Sequence, residues 1–123
     1  MRAPVFALVL AAAAPAAAQT PSGDSLFCKF DRLCSSEGCD ASDYFLELRV
    51  DAGEAYFNDG ERTAEVDLIP GKDGLSFLDI DDDGNLSLTT VYQDLTAAHS
   101  AHGIGEDGPA SILRLGACQE EHG

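Results

Sequence analysis

The sequence predicts an all-β domain: an antiparallel meander that forms a small barrel or a strongly curved sheet and is tied by two disulfides. Three observations predict it. Turn signals recur every eight to fourteen residues beyond Phe27, between short runs rich in β-branched and aromatic residues. That is the spacing of an antiparallel all-β chain. Within several runs, apolar and polar residues alternate with the period of a half-buried strand. The four cysteines, Cys28, Cys34, Cys39 and Cys118, all follow an apolar leader, and an even number in a short exported chain reads as a disulfide framework. Closure into a barrel would hide the edge strands that an open meander leaves unpaired.

Residues 1–18 read as a secretory signal peptide outside the fold. Arg2 precedes an apolar run from Val5 to Ala14, then Pro15 and the small-residue box Ala16, Ala17 and Ala18. Those are the charged, apolar and cleavage regions of an export signal. The run falls short of the ~20 residues that span a bilayer. Cleavage is expected after Ala18, with release to the periplasm or the extracellular space. No second apolar segment suggests a membrane anchor.

Residues 19–25, "QTPSGDS", read as a flexible lead-in. A single β domain is expected over 26–118, with a tail at 119–123. "LFCKF" is a short strand and "DRLCSSEGCDAS" a loop held by cysteines. "DYFLELRVD" alternates cleanly, with Tyr44, Leu46, Leu48 and Val50 on one face and Phe45, Glu47, Arg49 and Asp51 on the other. "DAG" and "NDG" are turns around the short strand "EAYF". "RTAEVDLI" places Ala64, Val66 and Leu68 inward and Thr63, Glu65 and Asp67 outward. Pro70 and Gly71 end it. "LSFLDI" and "LSLTTVYQ" flank Asp83 and Gly84. "LTAAHSAHG" suits several states, and "ASILRLGAC" closes the domain. Four cysteines allow three pairings. The preferred one joins Cys28 to Cys118, first strand to last, and Cys34 to Cys39, closing "CSSEGC".

Without the leader, six basic residues face 22 acidic ones, a balance of −16. Nucleic acid and anionic membranes are therefore poor partners, because both are held through basic residues. A cationic protein, a metal ion or plain surface solvation fits better.

"DIDDDGNLSL", beginning at Asp79, is the one stretch that resembles a metal site. Asp79, Asp81 and Asp83 take the first, third and fifth positions of an EF-hand-like calcium loop, with Gly84, Leu86 and Ser87 at the sixth, eighth and ninth. Thr90 stands where a bidentate Glu belongs, and strands flank the loop. A hairpin turned by Asp83 and Gly84 is the preferred reading, with calcium as the alternative; no cofactor is otherwise expected.

His99 and His102 would share a helix face but oppose each other on a strand. Exposed loop histidines are the default, although Glu106 and Asp107 lie near enough in sequence to complete a site. His122 falls in the tail. No G-x-S-x-G, phosphate loop or dinucleotide fingerprint occurs, and no cysteine is expected to be free. No catalytic residue is assigned, and the chain is not expected to be an enzyme.

The frame of Cys28, Cys34 and Cys39, the meander and the terminal "LGAC" resembles uncharacterised small exported bacterial β-proteins, over 27–118. More remotely it is similar to periplasmic inhibitors of C-type lysozyme. That likeness implies a disulfide-tied β-barrel with a cationic target. "SAHG", at 100–103, lies nearest to their inhibitory loop without matching its motif. The expected function is thus an acidic exported binding or structural protein without catalysis. An inhibitor of a basic enzyme and a calcium-binding β module are the alternatives.

Overall fold

The computed structural model describes residues 24–121. The expected signal peptide and most of the lead-in lie outside them. Eight strands follow one another: β1 (Asp24–Ser35), β2 (Gly38–Asp51), β3 (Glu54–Asn58), β4 (Thr63–Pro70), β5 (Gly74–Ile80), β6 (Leu86–Tyr92), β7 (Thr96–Gly105) and β8 (Gly108–Glu121). Each pairs antiparallel with the next, and β8 returns to β1, so the meander closes as a barrel. Closure, rather than an open curved sheet, is the outcome. It leaves no unpaired edge.

An eight-stranded barrel is just wide enough for side chains to fill. Its axis is packed by Cys28, Phe30, Leu46, Leu48, Ala55, Phe57, Val66, Phe77 and Val91. The alternation of β2 holds as expected: Leu46 and Leu48 are buried and Tyr44 and Val50 pack against them, while Arg49 and Asp51 are exposed. Each fully buried leucine or phenylalanine contributes about 1.5–3 kcal/mol of burial. Glu47, Arg49, Glu65 and Asp67 face outward. This is the reverse of a membrane barrel, whose outer band is apolar. No helix among the described residues is long and apolar enough to cross a membrane.

The disulfides join Cys28 to Cys118 and Cys34 to Cys39. Both link directly paired residues on neighbouring strands. Cys28–Cys118 lies in the seam where the barrel closes. No cysteine is free among the described residues, a usage that fits an oxidising compartment.

Several boundaries differ from expectation. "DRLCSSEGCDAS" is not a loop. It is the far half of the β1–β2 hairpin, with only residues 36 and 37 between the strands. Its small and polar composition looks loop-like, but pairing along β8 and the Cys34–Cys39 link hold it extended. β1 begins at Asp24, inside the expected lead-in, and β8 runs to Glu121, through most of the expected tail. "LTAAHSAHG" becomes β7.

One turn and one strand position show the local chemistry. Ala52 (φ 53°) and Gly53 (φ 85°) both take left-handed backbone between β2 and β3, as a two-residue hairpin turn requires. Gly116 faces Phe30 across the seam, where β1 bulges between Phe30 and Arg32. A Cβ at Gly116 would lie 1.9 Å from the Lys29 carbonyl oxygen. Only glycine allows that close approach.

Candidate functional site

Strand alternation sorts the connections between the two ends of the barrel. At one end lie residues 36–37, 59–62, 81–85 and 106–107. Those four connections carry eight acidic residues and one basic residue, Arg62. The connections at the other end, 52–53, 71–73 and 93–95, carry two acidic residues and one lysine. The acidic end opens into a mouth lined by Tyr44, Asp59, Arg62, Asp79, Asp81, Asn85, His99 and Arg114.

The turn of 81–85 forms one wall. Asp81 Oδ1 accepts hydrogen bonds from the backbone N–H of Asp83 (2.9 Å) and of Asn85 (2.9 Å). The Asn85 Nδ2 donates to Asp81 Oδ2 at 3.1 Å. These donors, the Asn85 side chain first, hold the Asp81 carboxyl below the usual aspartate range. Gly84 (φ 83°) alone takes left-handed backbone here, not Asp83 and Gly84 together. Asp79 turns into the barrel, 8 % exposed, and accepts from Arg62 Nη2 at 2.5 Å. Asp83 is exposed on the tip, and Ser87 lines the mouth from β6. Of the four candidate calcium ligands, then, Asp79 serves an ion pair and Asp81 serves the turn. Among the described residues, no three His, Cys, Asp or Glu side chains gather as a metal site would need.

The two histidines part company. His102 is exposed on β7, whereas His99 is 3 % exposed on the barrel axis. The expectation of exposed loop histidines fails for both on secondary structure, and for His99 on burial. His99 falls between Ala97 and Ala101 on the inward face, and these small neighbours leave room for its ring. Its Nδ1 shares a 2.7 Å hydrogen bond with Thr89 Oγ1. Phe30 and Tyr44 pack against the ring, at 5.8 and 5.5 Å between centroids. Burial, and then the Arg114 guanidinium, lower the His99 pKa to about 4; Asp59 and Asp79 oppose this more weakly. The imidazole is thus neutral at pH 7.

Arg114 is the residue the sequence reading passed over. Its guanidinium sits 4.1 Å from the centre of the Tyr44 ring. Its buried Nε has no hydrogen-bond partner among the described residues. Burial, with Asp59 adding to it, pushes the Tyr44 phenol up. A signal for Arg114 existed. It shares the parity of Cys118, so a disulfide inside the barrel places Arg114 inside as well. Arg62 had no such signal.

A hydroxyl beside an imidazole is the pairing that activates nucleophiles. Here Thr89 is 2 % exposed and His99 3 %, and their hydrogen bond satisfies two buried polar groups.

The buried neutral imidazole makes stability depend on pH. In the unfolded chain His99 binds a proton near pH 6.5; in the fold it does so only near 4. Its contribution is therefore complete above about pH 6.5 and is lost as pH falls towards 4, up to about 3 kcal/mol in all. Urea midpoints at pH 7.5 and 4.5 should fall further for the wild type than for His99→Leu. Equal falls would contradict the assignment.

No protein-family model matches the chain, and no curated protein or solved structure matches it. The site is therefore read from its own geometry.

Proposed function

We propose that the chain is an exported, non-catalytic binding protein that captures a cationic protein at the acidic end of its barrel. The observation that carries this reading is the imbalance of eight acidic residues to one basic across the four connections at that end. A one-signed surface steers an oppositely charged partner and speeds its encounter. Arg62 is turned to Asp79, which leaves the turn tips to the carboxylates. Apolar contact points stand among them. Ile104 is 79 % exposed at the end of β7, and Ile80 is 61 % exposed at the end of β5. A charged frame around exposed apolar side chains is a common interface plan. The partner class includes basic enzymes, and a C-type lysozyme is the specific candidate. The segment of 100–103 lies on β7 beside the acidic turn, where His102 pairs with Leu86.

The test is association of the mature chain with a C-type lysozyme, at ~20 mM and ~150 mM salt. Binding should weaken at least tenfold at the higher salt, as screening requires. Asp82→Lys with Asp83→Lys, and Ile104→Ser alone, should each weaken binding at least tenfold. Asp67→Lys with Asp73→Lys, placed on the outer face and at the other end, should change it little. A chain that binds no lysozyme at either salt rules out the lysozyme reading. A chain that also retains no periplasmic protein at low salt rules out the cationic partner.

A further inference from the structure

The end of the barrel opposite the acidic turns holds a recess of different chemistry. Its volume is about 240 Å³. Leu48 and Val50 of β2, Leu75 and Phe77 of β5, Val91 of β6 and Leu95 form its walls. These walls are apolar, and the rim is not. Glu120 and Glu121 stand at the end of β8, and Gln93 lies in the connection from β6 to β7. Glu120 lies two residues beyond the buried Cys118 and keeps its inward parity. Among the described residues, no basic side chain lines the recess.

Leu95 supplies an independent observation. Its φ is +71°, a left-handed conformation that glycine adopts freely and leucine does not. Two hydrogen bonds hold it there. The Leu95 N–H donates to the Tyr92 carbonyl (2.9 Å), and the Leu95 carbonyl accepts from the Cys118 N–H (2.7 Å). The backbone needs only a glycine at this point. Leucine adds an apolar side chain that closes one wall of the recess, at a cost in backbone conformation.

We propose that this recess binds a small cationic amphiphile, an aliphatic chain ending in an ammonium group. The walls take the chain, and the carboxylate of Glu120 takes the head. A dry apolar cavity of ~150 Å³ accommodates benzene, so the larger recess suits a chain of roughly six to eight carbons. The acidic rim rejects the carboxylate of a fatty acid of the same length. This site is separate from the acidic turns and does not depend on what they bind.

The experiment titrates residues 19–123 with n-octylammonium, n-octanol and octanoate in ~0.15 M salt, which screens diffuse attraction to the acidic surface. Methyl NMR reads the site. Octylammonium should saturate, with shifts concentrated on Leu48, Val50, Leu75, Val91 and Leu95. Octanol should bind more weakly, and octanoate at least tenfold more weakly than octylammonium. Glu120→Gln should bring octylammonium and octanol within about twofold of each other. Leu95→Gly should weaken both at least tenfold without lowering the thermal midpoint, because glycine relieves the backbone. Val50→Phe fills the recess from β2 and should abolish binding whatever Leu95→Gly does to the fold. Failure of all three probes to saturate would overturn the proposal. So would octanoate binding as well as octylammonium, or shifts spread over the outer faces.

Discussion

Replacing Cys28 and Cys118 together by alanine lowers stability by about 4 kcal/mol, because their bond closes a loop spanning most of the domain. The separation is 90 residues, against 5 for Cys34–Cys39. In the chain-entropy model the short loop contributes only about 2 kcal/mol. The same ranking follows from position. Cys28 is 0 % exposed and lies in the seam between first and last strands, whereas Cys39 is exposed near a hairpin tip. Small domains have a total stability of roughly 5–15 kcal/mol, so the seam variant is left with a thin margin. For a domain of this size about 4 kcal/mol corresponds to a fall of roughly 20 °C in Tm. Urea and thermal unfolding of the two double-alanine variants check this. Equal losses from the two pairs would mean that barrel closure does not depend on the seam.

Phe30→Ala costs about 3–5 kcal/mol, the range for removing a fully buried phenylalanine. Phe30 is 0 % exposed and packs against Tyr44, at 6.1 Å between rings, and His99, at 5.8 Å. Phe45 is the contrast. It lies 38 % exposed on the outer face, stacked on Phe27 at 5.3 Å. Its replacement by alanine should cost about 1 kcal/mol or less. The Phe30 variant has a second expected effect. Burial is the first cause of the low His99 pKa, and a cavity beside the ring admits water. The His99 pKa should therefore rise towards 6.5 in Phe30→Ala, read by NMR titration of the imidazole. A large loss of stability with an unchanged His99 pKa would separate the two roles.

Much of this fold was legible because a half-buried strand writes its face into the sequence. The stripe of Tyr44, Leu46, Leu48 and Val50 did so, and the turn residues between the strands marked most of the rest. The cysteine pairing was a preference among three, one bond from first strand to last and one closing "CSSEGC", and the structure has it; the hairpin that the second bond crosses was not expected. What was not legible depended on long-range pairing. The outer half of the β1–β2 hairpin looks like a loop by composition, and only its ladder with β8 makes it strand. His99 sits in an alanine-rich run whose inward face no local pattern reveals. The ion pair of Asp79 was not legible because its partner, Arg62, is 17 residues away in sequence. The gathering of acidic turns at one end appears only once the strand order is known. Total charge was readable from composition; its placement was not.

Hydrogen exchange of residues 19–123, free and with a C-type lysozyme at ~20 mM salt, tests that placement most directly. The account predicts slowed exchange in the connections of 59–62, 81–85 and 106–107 and in the adjoining end of β7. Exchange at 52–53, 71–73 and 93–95 should be unchanged. A footprint on those opposite connections, or on the outer faces of the strands, would contradict the assignment of the acidic end as the binding surface.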